Sequence, residues 1–261
     1  MDTVQTLDIA SIAVSTVALF YASWSDLKTR EVSNSVWTVY APIALIISVV
    51  RWVALPSLLA VSLVSIAFTA FVSILLFYLG LYGGADAKAL ICIGLASPVF
   101  PSAVDYAMPP IHPILPLAVL YNGYLFSLAA VFYALAKNAG RKMGGGSLFT
   151  GFEEEKLTTR LMMVLTGYKA RFGEARASVS LIPIEIPGET GGRRIRLFTN
   201  AEEDRDRLIE ELKFSGVVDG DEVWVTPGLP MLVFFFFAYI VSVTVGDVMA
   251  RGIFRLLSIL F

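Results

Sequence analysis

The sequence predicts a polytopic α-helical membrane protein: six transmembrane helices, with a small cytoplasmic α+β domain inserted between helices five and six. Three observations carry this prediction. The 261 residues are 56% hydrophobic and 16% charged, whereas an ordinary soluble domain is about 25% charged. The apolar residues gather in six stretches, near the ~20 residues needed to cross a bilayer. Finally, 14 of the 20 Lys and Arg and 15 of the 22 Asp and Glu fall in one polar stretch, residues 137–228.

The elements follow in order. Helix one is expected over residues 9–25, which carry no charge between Asp8 and Asp26. The N-terminus lacks a basic leader region, so this helix reads as retained rather than cleaved. Helices two and three are expected over 32–50 and 57–79. Helix four, over 87–107, is the weakest and has Asp105 near its end. Pro109, Pro110, Pro113 and Pro116 then break the chain. Helix five is expected over 115–136 and helix six over 229–245, which includes the run from Phe234 to Phe237. The domains read as 1–137 (membrane helices one to five), 138–228 (soluble) and 229–261 (helix six and a C-terminal tail).

The polar insert starts at a flexible Gly144-Gly145-Gly146 and ends at Pro227. Residues 194–199 and 222–226 alternate like strands. Residues 202–213 read as a helix with Asn200 as N-cap and an acidic first turn. Net charge is −2, so no case for nucleic acid can rest on charge. Cys92 is the only cysteine and His112 the only histidine. That excludes an intramolecular disulfide and a Cys- or His-built metal site. Cys92 reads as a small packing residue and His112 as a surface loop residue.

Six spans put loop 26–31, the loop at Gly84 and the insert on one side. That side holds 17 of the 20 basic residues; the other holds Arg51, Arg251 and Arg255. The positive-inside rule makes the first side cytoplasmic and leaves both termini outside.

Asp86 ends an uncharged run over residues 52–85. A carboxylate there is costly unless it does something. The topology brings Asp26, at the end of helix one, to the same face and depth. Lysine follows each aspartate two residues later, as Lys28 and Lys88. Two carboxylates can hydrolyse a peptide bond. The ionised one draws a proton from water, the protonated one donates to the carbonyl oxygen, and like charges held close titrate as a pair. No cofactor or metal is required. Gly83 and Gly84, with Ala85, read as a turn that lets a substrate backbone come close. Taken singly, Asp86 is also a favoured helix cap, and Asp26 an ordinary juxtamembrane charge. Lys28, Arg30 and Lys88 read chiefly as positive-inside anchors that could also tune a nearby carboxylate, and Lys28 and Lys88 also as groups that touch substrate.

The stretch Gly83-Gly84-Ala85-Asp86-Ala87-Lys88 resembles the Gly-x-Gly-Asp signature of membrane aspartic proteases, which include the type IV prepilin peptidases. Residues 26–34, from Asp26 through Arg30 and Val32 to Asn34, resemble the prepilin-peptidase pattern of an Asp, a basic stretch, a β-branched residue and an Asn. Six helices with a soluble insert before the last, and Glu222 to Pro227 leading through Pro230 into an apolar span, are most similar to the archaeal preflagellin (prearchaellin) peptidases. The resemblance implies an aspartic endopeptidase that removes short basic leader peptides from archaellin or pilin-like precursors at the cytoplasmic membrane face. Asp26 and Asp86 match the two catalytic aspartates. Ala85 departs from the second glycine of the signature, and Ser33 stands where bacterial relatives have proline. The Cys-rich loop of the bacterial enzymes is absent, and with it the reason to expect their N-methyltransferase activity. The alternative is a proton- or cation-coupled transporter that uses the aspartates. Against it stand the absence of an inverted repeat and the placement of both aspartates at one side rather than the midplane. For the peptidase, the aspartates are expected to stand apart until substrate binding draws their helices together.

Overall fold

The computed structural model of the protein describes residues 3–188, 192–197 and 205–260. In chain order it forms α1 (Thr3–Thr29), α2 (Asn34–Ala54), α3 (Leu59–Tyr78, entered through a 3-10 turn at Pro56–Leu58), α4 (Gly84–Ala96) and α5 (Leu115–Met143). Then come α6 (Leu157–Thr166), β1 (Tyr168–Arg171), α7 (Phe172–Ala177), β2 (Leu181–Pro183), β3 (Glu185–Pro187) and β4 (Arg193–Ile195). The chain closes with α8 (Arg205–Phe214), β5 (Glu222–Pro227), α9 (Met231–Thr244) and α10 (Val248–Leu260). It divides into two compact units, Met1–Phe126 with Pro230–Phe261, and Ser127–Leu229.

Among the described residues four helices are long and apolar enough to cross a membrane: α1, α2, α3 with its 3-10 entry, and α5. The other two expected spans are shorter. At 1.5 Å per residue, the 13 residues of α4 and the 14 of α9 cover about 20 Å, against a hydrocarbon core of about 30 Å. Helix four was expected to reach residue 107 but stops at Ala96. The cause is Pro98, whose ring disfavours helical backbone at the residue before it. Ser97 accordingly sits at φ −138°, ψ 72°. Segment 97–114 then folds back on itself: Val99 pairs with Ile114, and the Phe100 N–H donates to the Pro113 carbonyl. Non-helical backbone of this kind is tolerated at membrane depth where protein encloses it.

On α1 and α3 small polar residues turn inward, beside an apolar core that includes Leu19, Leu90, Ile93 and Phe235. Helix α1 buries Ser11, Ser15, Ala22 and Ser23 while exposing Val17, Phe20 and Trp24. Helix α3 buries Ser62, Ser65, Thr69 and Ser73 and exposes Leu63, Val64 and Phe71. Lipid is as apolar as leucine, so helices gain nothing by burying large apolar groups. Small residues instead let backbones approach. At the α3–α4 contact, a Cβ on Gly94 would lie 3.4 Å from Thr69. The expected Phe234–Phe237 run divides: Phe235 is fully buried and Phe237 is exposed.

One end of this unit is closed by a buried ion pair. Arg51 Nη2 lies 3.1 Å from Asp8 Oδ1, with the two side chains 2% and 5% exposed. Arg51 also donates to the Ala96 carbonyl and to Ser11 Oγ, and Asp8 Oδ2 accepts from the Ser102 N–H and hydroxyl. The cluster ties α1, α2, the end of α4 and segment 97–114 together. His112, expected on a loop surface, is half-buried instead. Its Nε2 lies 2.8 Å from the Tyr121 hydroxyl, which bonds the fully buried Asp247.

In the second unit, β1, β5 and β2 form an antiparallel sheet in the order β1-β5-β2, and β3 pairs with β4. The strand expected over 222–226 is β5. The helix expected over 202–213 is described from Arg205 as α8; of the strand expected over 194–199 only 194–195 lie in β4, and 196–197 are not strand; residues 198–204, with the Asn200 cap, lie outside the described residues. Helix α5 runs to Met143 rather than 136 and carries this sheet. Ala134 packs with Tyr168, Phe172 and Val225, and Asn138 Nδ2 donates to the Gly167 carbonyl at 2.7 Å. Gly144-Gly145-Gly146, expected to be a flexible start, is a helix stop. Gly145 takes φ +77°, the Gly146 N–H returns to the Arg141 carbonyl, and the Gly145 N–H to the Lys142 carbonyl. Arg141 forms an ion pair with Glu222. Glu185 is fully buried. It accepts the Trp224 N–H at 2.7 Å and lies 2.7 Å from Arg193 Nη1.

Two predictions follow from these charges. Replacing Asp8 with Ala strands Arg51 in the interior and should cost about 3–5 kcal/mol in thermal unfolding of the detergent-solubilised protein. Asp8→Ala combined with Arg51→Leu should recover part of that loss, and an unchanged single variant would contradict the pairing. Burial raises the Glu185 carboxyl above its ordinary value of 4.5, with the Trp224 N–H and Arg193 opposing. A raised folded value stabilises the protonated form. Its contribution is therefore full below pH 4.5 and fades as pH rises through the folded value. The melting temperature of the protein relative to Glu185→Gln should therefore rise as pH falls from neutral toward that value, and a difference that shrinks on acidification would contradict it.

Candidate active site

Asp26 sits in the last turn of α1 and Asp86 in the first turn of α4, and both are half-buried. Helix α1 ends just beyond Asp26 because Arg30 takes left-handed backbone, at φ +57°, and returns its N–H to the Asp26 carbonyl at 3.0 Å. This is the left-handed helix cap usually given to glycine. On an arginine it costs roughly 1–2 kcal/mol. Ser25 and Thr29 hydroxyls hold the Glu31 carbonyl at 2.8 and 3.0 Å and steer the chain into α2. Ser33 caps α2, accepting the Ser35 N–H on its hydroxyl. Its φ of −56° lies within the range a proline ring imposes. The departure from proline at this position therefore keeps the backbone path and adds a capping oxygen.

The loop before Asp86 is built differently from the expected glycine turn. The left-handed residue is Gly80, at φ +70°. It closes α3 by returning its N–H to the Phe77 carbonyl, while the Leu81 N–H returns to that of Leu76. Gly83 has φ −74° and caps α4, and Gly84 and Ala85 are already helical. A methyl group at position 85 meets no conformational barrier, which answers the departure from the signature. Asp86 is the third helical residue rather than the cap, and its Oδ2 accepts the Gly83 N–H at 3.2 Å. The carboxylate thus satisfies one of the free N–H groups at the helix start and lies at the positive end of the helix dipole.

Asp26 lies within reach of the charge on Asp86, and the cation whose charge reaches both is Arg30. Neither carboxylate belongs to an ion pair among the described residues. The two lysines are engaged elsewhere. Lys28 Nζ lies 5.6 Å from the Trp24 ring centre, and Lys88 Nζ donates to Asn34 Oδ1 at 2.7 Å. The Lys88–Asn34 bond joins the first turn of α4 to the first turn of α2, and so links the two sequence stretches that carry the aspartates. Tyr82 is buried beside Asp86, with its ring 5.6 Å from Phe235 and 6.1 Å from Tyr124. Tyr82 was not expected at the site, and Arg30 was expected chiefly as an anchor that could also act on a nearby carboxylate. Adjacency to Gly83 was the only sequence signal for the tyrosine, and arginine carries no signal for left-handed backbone.

The arrangement can therefore present two neighbouring carboxylates, one held by a backbone N–H, at the ends of two helices of an apolar unit. Residues 13–136, which include both aspartates, match the type IV leader peptidase family, and residues 159–248 match the archaeal Peptidase A24 C-terminus type II. The chain is 28% identical over 244 residues to the preflagellin peptidase of Methanococcus voltae, covering 90% of this chain and 94% of that one. It is 25% identical to the preflagellin peptidase of Methanocaldococcus jannaschii over 90% of this chain and 93% of that one. A third preflagellin peptidase, from Methanococcus maripaludis, is 24% identical over 90% and 94%. With a core match through both helix ends and an archaeal match through the sheet, α8 and α9, the chain belongs to the type IV leader peptidase family.

Proposed function

We propose that the protein is a membrane-embedded aspartic endopeptidase that removes the short basic leader from preflagellin or prepilin-like precursors at the cytoplasmic membrane face. The observation that carries this reading is the pair Asp26 and Asp86. They come from the two stretches that resemble the family's motifs, Asp86 feels the charge of Asp26, and neither has an ion-pair partner among the described residues. One carboxylate, ionised, takes a proton from water as that water attacks the scissile carbonyl. The other, protonated, donates to the carbonyl oxygen; as the tetrahedral intermediate collapses, the first passes the water's proton to the leaving amine and the second regains its proton from the intermediate's hydroxyl. The Gly83 N–H bond orients the Asp86 carboxyl for this exchange.

In the proposed topology α4 and α9, with their adjoining non-helical segments, complete six crossings. Lys28, Arg30, Lys88 and the soluble domain 138–228 are cytoplasmic, and both termini lie outside. Of the three basic residues assigned to the outer side, Arg51 is neutralised by its buried pair with Asp8, which favours this orientation. Because the aspartates stand on separate helices, substrate binding draws the ends of α1 and α4 into the reactive arrangement.

Membranes carrying Asp26→Asn or Asp86→Asn, incubated with a leader-bearing precursor, should cleave about 10²–10⁴-fold more slowly than wild type. Full cleavage by either variant would sink the reading, and an Asp86-dependent ion flux without cleavage would favour transport. Gly83 tests the close approach of substrate. A Cβ there meets only Asp86 Oδ2, at an ordinary 3.5 Å, and φ is negative. Gly83→Ala should therefore fold with an unchanged melting temperature yet cleave about tenfold more slowly, the effect of a contact worth about 1.4 kcal/mol in the transition state. Unimpaired cleavage would show that no substrate backbone passes this atom.

A further inference from the structure

Helix α10, expected as a C-terminal tail, has features that neither the fold nor the peptidase reading uses. Its start is pinned: Asp247 Oδ1 accepts the Ala250 N–H, and the Arg251 N–H returns to the Asp247 carbonyl. From Ile253 to Ile259 every residue is exposed, including Phe254 at 57% and Leu256 at 62%. On a helical projection Arg251, Arg255 and Ser258 share one narrow stripe, while Ile253, Leu256 and Leu257 lie on the opposite side. A helix with a wide apolar face and a thin cationic one lies in the membrane interface.

The cationic stripe, exposed at Arg255 and Ser258, borders an open groove. With Met108 and Pro109 it lines a groove of about 420 Å³, with Phe254 on its wall. Arg251 Nε donates to the Pro109 carbonyl at 2.7 Å, which fixes its guanidinium at the rim. Arg255 stands one turn away, and no acidic side chain pairs with either arginine among the described residues. Two adjacent unneutralised guanidinium groups match the charge and the bidentate geometry of a phosphate. The apolar face of α10 matches the acyl region next to it.

We propose that this groove binds the phosphate of an anionic membrane lipid, with Arg251 and Arg255 on the phosphate and Phe254 against the start of the chains. The site is independent of the peptidase reading, since it lies in loop 107–109 and α10 rather than at either aspartate. It also accounts for the two arginines left on the side otherwise poor in basic residues: they serve a lipid rather than orientation.

The test uses the full chain in nanodiscs of phosphatidylcholine, with and without phosphatidylglycerol. Phosphatidylglycerol should raise the melting temperature of wild type by several degrees and be retained over phosphatidylcholine in native mass spectrometry. In Arg255→Gln the thermal gain and the preferential retention should both fall severalfold, while the melting temperature in phosphatidylcholine alone stays at the wild-type value. Arg255→Lys should show an intermediate loss, because it keeps charge but not the fork. Equal retention of the two lipids by wild type would overturn the proposal, and so would undiminished retention in Arg255→Gln. Inorganic phosphate that reproduces the thermal gain without lipid would also overturn it, by making the groove a free-anion site.

Discussion

The hydrocarbon of a bilayer offers no hydrogen bonds, so every polar group placed in it must be answered by the protein itself. That constraint shapes the membrane unit. Serine and threonine stripes on α1 and α3 turn inward, and valine, leucine and phenylalanine turn out. Where α4 stops, segment 97–114 closes on itself and is tied down by Asp8 through Ser102. Asp8 in turn is matched by Arg51, and Arg51 by the carbonyl of Ala96. The far end of the bundle is thus a polar cluster in which Asp8, Arg51, Ser11 and Ser102 answer one another.

The other end is built on the opposite principle. Asp26 and Asp86 have no ion-pair partner among the described residues, and the nearest cation in effect, Arg30, is held in strained left-handed backbone. Strain and unmatched charge persist only where the surroundings overdetermine them, and they cluster at sites that act. The buried cluster and the aspartate pair share α1 and α4, so the same two helices join both ends.

Legibility in the sequence followed the range of the interactions. The spans of α1, α2, α3 and α5 were plain because apolar composition is a local property. Asp26 and Asp86 stood out because each interrupts that composition. Helix four was overextended because segment 97–114 is itself apolar, and composition cannot distinguish an apolar loop from a helix; Pro98 was the local signal that mattered. Glycine was noticed at Gly83 and Gly84, yet the backbone freedom is used at Gly80, because helix-stop geometry depends on where the preceding helix ends. The bonds of Lys88 to Asn34, Arg51 to Asp8 and Tyr121 to Asp247 join residues far apart in the chain. No pattern of spacing announces such partners. The reach of α5 to Met143 was hidden because its last turns are polar and serve the second unit.

The central claim is that Asp26 and Asp86 act as one unit. A single-turnover cleavage series with Asp26→Asn, Asp86→Asn and the double variant measures this directly. Residues that work together lose their effect together. The double variant should therefore be no slower than the slower single variant. A double variant slowed by the product of the two single effects would mean that the aspartates contribute independently, and the account of a shared dyad would be wrong.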